Sequence, residues 1–235
     1  MADILILSGA GVSAESGLST FRDNNGLWEN HNVMEVCSVE GYMSNREKVL
    51  NFYDLRRSDL KDKKPNKMHK LIVKLANEYP KKISVITQNV DDLFEKAGSK
   101  NIIHLHGYLK EIVCENCGLI KDIGYENIKN HITCDRCKTK SMRHNVVMFG
   151  EAAPFYQDLY NAVDKCNLLV VIGTSGTVIP VEHFARHTKY SILNNLEESV
   201  DINDRFFTKV YYSKTTEAAE KIEKDIRTFI EKGYI

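Results

Sequence analysis

No apolar run in the 235-residue chain approaches the ~20 residues needed to span a bilayer, and the N-terminus lacks the charged-then-apolar pattern of a secretory signal. A membrane-bound or exported protein is therefore not expected, and the reading is a cytoplasmic one. There is no excess of charge of either sign: Lys plus Arg and Asp plus Glu both number 32. A neutral chain sets up no global field to recruit nucleic acid or an anionic membrane, so any nucleotide site must be built locally. Repeats and low-complexity tracts are absent too. What is present, 43% hydrophobic and 27% charged residues, is the make-up of a globular chain. Its length allows one well-buried core, or one large domain carrying a small insert.

Short runs rich in Ile, Val and Leu recur at Ile4–Leu7, Ile83–Thr87, Ile102–Leu105, Val146–Phe149, Leu168–Ile172, Ser191–Leu193 and Phe206–Tyr211. Most are continuous, as strands buried on both faces of a parallel sheet are. Helical apolar spacing lies between them, as in Met68–Ala76 and Thr216–Lys232. Alternating strands and helices predict an α/β fold with a doubly wound parallel sheet. Two stretches break the rhythm: residues 24–64 are polar and helix-like with no strand, and residues 114–137 are dense in Cys, Asn, Lys and Asp. Both read as insertions forming a smaller second lobe, and a cleft between two lobes is a common substrate site.

In a reducing compartment the six cysteines are not expected to be disulfides. Cys114-Glu-Asn-Cys117 and Cys134-Asp-Arg-Cys137 are two CxxC knuckles 16 residues apart, a spacing at which four thiolates close a tetrahedral zinc site. Four sulfur ligands leave no open position, so the metal would be structural. Cys37 and Cys166 stand alone and read as small buried apolar residues. A zinc ribbon can also mark a DNA-binding module, but no basic patch accompanies this one.

The run Ile4-Leu-Ile-Leu-Ser-Gly-Ala-Gly-Val-Ser-Ala-Glu-Ser-Gly-Leu-Ser-Thr-Phe-Arg22 reads as a strand feeding a pyrophosphate turn. Its Gly9-x-Gly11-x-x-Ala14 fits the dinucleotide fingerprint, and Ser13, Glu15 and Ser16 suit a helix start. A dehydrogenase would next need a strand ending in an acid about 20 residues on, for the adenosine ribose. Instead the chain continues as the polar Phe21-Arg-Asp-Asn-Asn-Gly-Leu-Trp-Glu-Asn30, which reads as a flap over the nucleotide. Three further strand ends deliver polar groups: Gln88, Asn89 and Asp91; Gly173, Thr174 and Ser175; Asn194, Asn195 and Glu197. Ligands of open α/β sheets bind at such carboxyl ends. In Ile102-Ile-His-Leu-His-Gly-Tyr108, His104 and His106 alternate along a strand and are expected to point the same way. His106, beside Gly107, suits a general base; His104 reads as a core histidine satisfied by backbone.

GAGVSAESGLSTFR, TQNVDDL, HLHG, the paired CxxC knuckles, VVMFGE (Val146–Glu151), GTSGTVIP and NLEES, in this order and over essentially the whole chain, resemble the sirtuin family of NAD-dependent protein lysine deacylases, and within it the short bacterial class III members. The resemblance implies one catalytic domain. Its Rossmann-type large lobe would comprise about 1–24, 65–110 and 145–235. Its small lobe would comprise a helical insertion at about 25–64 and a zinc module at about 111–144. It implies NAD as co-substrate, bound by Gly9, Ala10, Gly11, Ser13, Ala14, Glu15, Phe21, Arg22, Trp28, Gln88, Asn89, Val90, Asp91, Gly173, Thr174, Ser175, Asn195, Leu196, Glu197 and Thr215. One structural zinc per chain would sit on Cys114, Cys117, Cys134 and Cys137. His106 takes the place of the catalytic histidine, with Asn89 and Asp91 orienting the nicotinamide ribose and carboxamide. Val147, Phe149 and Gly150 correspond to the backbone that pairs with substrate peptide. The chain departs from many members at Leu18-Ser19-Thr20, where Ile-Pro-Asp is common, and at Glu198 in place of a Pro. The double Asn leaves 194 or 195 as the ribose contact, and Asn195 keeps the NLE triplet intact.

The implied reaction consumes NAD. The acyl oxygen of a modified lysine attacks the anomeric carbon of the nicotinamide ribose, nicotinamide leaves, and His106 helps deprotonate a ribose hydroxyl. The products would be free lysine, nicotinamide and 2′-O-acyl-ADP-ribose. Tyr53 and Arg56 stand three apart and share a helix face; spacing alone favours a solvated face, but Tyr-x-x-Arg at this place resembles members that remove succinyl and malonyl groups, with Arg suited to a carboxylate. The partners implied are acylated lysines of proteins, with no direct nucleic acid and no membrane, and a monomer is expected. The rival readings are protein ADP-ribosyl transfer and, further off, an NAD-dependent oxidoreductase.

Overall fold

The computed structural model describes residues 3–20, 27–28 and 31–235. The elements run β1 (Ile4–Ser8), α1 (Gly11–Ala14), β2 (Leu27–Trp28), β3 (His31–Asn32), α2 (Val33–Cys37), α3 (Val39–Ser44), α4 (Arg46–Leu60), α5 (Lys67–Glu78), β4 (Ile83–Thr87), α6 (Leu93–Lys96) and β5 (Ile103–His104). They continue with β6 (Gly107–Cys114), β7 (Ile120–Asp122), β8 (Met142–Val146), α7 (Tyr156–Lys165), β9 (Leu168–Ile172), α8 (Val181–His187), β10 (Tyr190–Asn195), β11 (Lys209–Tyr212) and α9 (Thr215–Lys232).

Six strands form one sheet in the order β11-β10-β9-β1-β4-β5, every pairing parallel. The chain winds outward from β1 through β4 to β5, then returns to β9 on the other side and winds to β11. That is the doubly wound order, with its switch point between β1 and β9. Ile4 and Ile6 enter one core with α5 and α9, while Leu5 and Leu7 enter a second with α7 and α8. Burial on both faces explains why β1 and β9 read as unbroken apolar runs.

A second, antiparallel sheet, β7-β6-β8, lies outside this layer. Helices α2 to α4 pack their own apolar cluster, which Leu93, Leu109, Val146 and Met148 join. Four readings are corrected here. The Val146–Phe149 run is the last residue of β8, paired with β6, followed by an irregular segment; β8 buries only alternate residues, so no continuous apolar run marks it. Phe206–Tyr211 divides into a short 3₁₀ turn at Asp204–Phe206 and β11. Ile102–Leu105 shortens to β5. Residues 24–64 hold a two-residue hairpin, β2 with β3, besides their helices. Among the described residues, no helix is long and apolar enough to cross a membrane.

Candidate active site and metal centre

Because the strands are parallel, their carboxyl ends lie on one side, and the glycine turn after β1 meets the one after β9. Gly11 N donates to the Gly173 carbonyl at 2.8 Å and Gly9 N to the Ile172 carbonyl at 2.9 Å. A Cβ on Gly173 would lie 2.4 Å from Val12 N, and Gly173 has φ +65°. Only glycine allows this approach. The Gly173–Ser175 turn is pinned from both flanks: Gln88 Nε2 donates to Thr174 Oγ1 at 3.0 Å, and Asn195 accepts from Thr174 N at 3.1 Å and donates to its carbonyl at 2.9 Å. Asn194 turns the other way, donating to the Tyr211 and Ser213 carbonyls. Leu196 is exposed, as is Glu197. Glu15 accepts from Thr215 Oγ1 at 3.0 Å and from Thr216 N at 2.9 Å, at the amino end of α9. Burial opposes its ionisation, but the Thr216 and Thr215 bonds prevail and hold its carboxyl below the usual range.

Behind this turn lies a closed polar cluster. Asn66 N donates to His69 Nδ1 at 3.3 Å, so Nε2 carries the proton and donates to Ser13 Oγ at 3.3 Å. Ser13 Oγ donates to Asp91 Oδ2 at 2.8 Å, and Asn89 Nδ2 donates to both Ser13 Oγ and Asp91 Oδ2 at 3.0 Å. Burial pushes His69 down to about 4 and holds Asp91 above the usual carboxylate range. Nothing in the sequence reading singled out His69; the signal was the Asn66-x-x-His69 spacing, which closes a capping box on α5. The backbone of Val90, between Asn89 and Asp91, accepts from Leu109 N at 2.9 Å.

The two histidines of HLHG do not point together. β5 ends at His104, whose ring bonds the Asn89 carbonyl at 2.8 Å and Glu95 at 2.9 Å. Although burial opposes it, Glu95 and the Asn89 carbonyl hold His104 above the ordinary histidine value, the satisfied core role expected. His106 lies beyond the strand end, where Nε2 meets the Tyr156 hydroxyl at 3.2 Å. Burial lowers its pKa, against a bond with the Gln88 backbone. It is thus neutral near pH 7 and able to take a proton. Gly107, φ +90°, is required because a Cβ there would lie 2.1 Å from the Asn145 carbonyl.

From His106 the chain leads to the peptide segment. Val147 N donates to the His106 carbonyl at 2.9 Å, Phe149 N to the Cys37 carbonyl at 2.7 Å, and Val39 N to the Phe149 carbonyl at 3.0 Å. Gly150 follows at φ +94°. Under this segment the Tyr53 hydroxyl is hydrogen-bonded to the Cys37 thiol, and the Arg56 charge acts on the same thiol. Arg56 itself lies with Nη1 3.9 Å from Asp59 Oδ2, three residues on along α4. Burial pushes the thiols of Cys37 and Cys166 up to about 11, in keeping with buried small residues. Phe21 and Arg22 lie outside the described residues; Trp28 is described only as the strand partner of His31.

The four knuckle cysteines place their Sγ atoms within 4.8 Å of one another, Cys114 to Cys137 at 3.5 Å and Cys117 to Cys134 at 3.6 Å. Tetrahedral zinc with ~2.3 Å bonds needs sulfurs about 3.8 Å apart, so the set fits. Each knuckle turns alike: Gly118 N donates to the Cys114 carbonyl at 2.9 Å and Lys138 N to the Cys134 carbonyl at 3.0 Å, both with positive φ. The Thr139 hydroxyl leads the bonds that bring Cys137 down to about 5, and Ser141 those that bring Cys114 to about 7, favouring thiolates at these two positions. Cys117, against a bond from the Leu119 backbone, is pushed up to about 11 by burial and the neighbouring thiols, a crowding that a bound cation would relieve.

A model of the Sir2 family matches residues 9–180. The NAD-dependent protein deacylase of Campylobacter jejuni is 49% identical over 235 residues, covering all of both chains. Among solved structures, a mutant Sir2 homologue in complex with ADP-ribose superposes with TM-score 0.84 at 31% identity, over 97% of this chain and 93% of that one. A Sir2 homologue in complex with NAD does so with TM-score 0.82 at 31% identity, over 96% and 89%. With the doubly wound sheet, the glycine-lined switch point and the four-thiol centre in place, the chain belongs to the Sir2 family.

Proposed function

We propose that this chain is an NAD-dependent protein lysine deacylase that removes succinyl and malonyl as well as acetyl groups. NAD supplies the electrophilic ribose carbon that accepts the acyl oxygen. The residues of this chain bind, orient and move a proton. The Gly9–Gly11 and Gly173–Ser175 turns cradle the pyrophosphate, and Asn195 holds the second turn in shape. Ser13, Asn89 and Asp91 form one bonded cluster that presents the nicotinamide end. His106, neutral, takes the proton of a ribose hydroxyl. The segment from Val147 to Gly150 aligns peptide backbone, and zinc on the four cysteines holds β6 to β8 in place without touching the reaction.

What supports the acyl preference is that Tyr53, bonded to the Cys37 thiol, and Arg56 lie one turn apart on α4, and that the Cys37 carbonyl in turn accepts from Phe149 N of that segment at 2.7 Å. A phenol and a guanidinium one helical turn apart suit a carboxylate, which an acetyl group lacks. The test is a panel of acetyl-, malonyl- and succinyl-lysine peptides with NAD, read by mass spectrometry and nicotinamide release. One nicotinamide per acyl group lost, with no rise at 340 nm, supports the reading. Label from NAD left on protein would favour ADP-ribosyl transfer instead.

A further inference from the structure

Helix α4 carries two pairs spaced three apart, one residue out of step. Tyr53, bonded to the Cys37 thiol, and Arg56, 3.9 Å from Asp59, are the pair assigned above to the acyl chain; Asp54 and Arg57 bond the backbone of the zinc module. Arg57, fully buried, donates through Nε to the Leu109 carbonyl at 2.6 Å and through its terminal nitrogens to the Glu126 and Glu111 carbonyls, each at 3.2 Å, and to Asp54 Oδ1 at 3.4 Å. Asp54 Oδ1 also accepts from Ile128 N at 3.1 Å and pairs with His144 Nε2 at 3.1 Å. His144, on β8 and 1% exposed, lies with its ring centroid 5.5 Å from that of Tyr53. One imidazole thus bonds Asp54 and packs on Tyr53.

We propose that His144 is a positioning residue that selects for carboxylated acyl groups, by fixing the rotation of α4 that aims Tyr53 and Arg56; this rests on the acyl preference proposed above. Stability alone does not account for the arrangement. Among the described residues, Asp54 Oδ2 and His144 Nδ1 have no hydrogen-bond partner, and a half-satisfied buried polar network is worse than an apolar contact of the same volume. What the pair supplies is direction. Side-chain tips lie ~5–6 Å from a helix axis, so a rotation of about 10° displaces them by ~1 Å, and a misplacement of that size can cost ~10²-fold in rate. A succinyl carboxylate gripped by Arg56 would register the displacement; an acetyl group, which makes no such bond, would not.

The test measures kcat and KM for acetyl- and succinyl-lysine peptides in the parent and in His144→Phe, His144→Ala and His144→Gln, with zinc content and melting temperature recorded for each. Phe and Ala remove the donor to Asp54, while Gln keeps an N–H at similar reach. The expected result is a fall of about tenfold or more in succinyl kcat/KM for Phe and Ala, carried mainly by KM. Acetyl turnover should stay within about threefold and Gln should recover most of the loss. A Phe variant too unstable to assay leaves Ala and Gln to decide. Parallel loss of both activities, or no change in either, overturns the role of His144 alone. A parent active on acetyl but not succinyl peptides overturns the acyl assignment and this role with it.

Discussion

Replacing Arg57 by Leu tests whether α4 is locked to the zinc module by charge. The side chain is fully buried and makes four polar contacts, three of them to carbonyls. Charge-assisted bonds at ~1.5–3 kcal/mol each would sum to roughly 6–12 kcal/mol, but that sum overstates the loss. Burial pulls the Arg57 pKa down to about 10 even against the attraction of Asp54, so desolvating the guanidinium already offsets part of the gain. The applicable figure is the cost of breaking a buried pair from one side, ~3–5 kcal/mol. Against a total stability of ~5–15 kcal/mol, and at ~2–4 °C per kcal/mol for a chain of this size, the melting temperature should fall by roughly 6–20 °C. Scanning calorimetry measures it. Arg57→Lys should recover little, because one ammonium cannot reach three carbonyls spread over a planar fork. A fall under about 3 °C for Leu, or full recovery with Lys, would show that the buried guanidinium does not lock the helix.

Three further outcomes are expected. His106→Ala should lower kcat by ~10²–10⁴ while leaving NAD affinity, measured by calorimetry, near the parent's; because burial lowers the His106 pKa, the acid limb of the parent's pH–rate profile should lie below that of an ordinary histidine. Chelating zinc, or Cys134→Ser, should unfold the β6–β8 module and abolish activity, with elemental analysis giving one zinc per chain beforehand; a metal-free protein with an unchanged melting temperature would contradict this. His69 and His144 are held near 4 by burial, so between ~6.5 and 4 the unfolded chain binds more protons than the folded one. Stability is therefore fully present above pH ~6.5 and falls as pH drops toward 4, by about 2 kcal/mol per residue at pH 5, read as a lower urea midpoint at pH 5 than at pH 7.

Much of the central sheet was legible because β1, β4 and β9 are covered on both faces, and a doubly covered strand writes a continuous apolar run. β8 was legible only in part, since a strand with one open face alternates, and its last residue was read as the start of a longer run. The four cysteines were legible because zinc constrains spacing along the chain. The polar groups at the strand ends were readable one by one, but their grouping into Ser13, His69, Asn89 and Asp91 depends on α5 crossing behind β1. HLHG was misread in direction: the close approach of Gly107 to Asn145 ends the strand after His104 and separates the two rings. Arg57 was invisible beside Arg56, as composition cannot tell which of two neighbouring guanidiniums binds backbone; only the packing of α4 on the β6–β8 sheet, which sets Arg57 against the Leu109 and Glu111 carbonyls, distinguishes them.

The proposed role of Arg56 in reading the acyl chain is tested most directly by Arg56→Met. With NAD in excess and acetyl- and succinyl-lysine versions of one peptide, mass spectrometry should show succinyl turnover in the parent, its loss in the variant by roughly tenfold or more, and acetyl turnover largely retained. Equal loss of both activities, or a parent that leaves succinyl-lysine untouched, would contradict it.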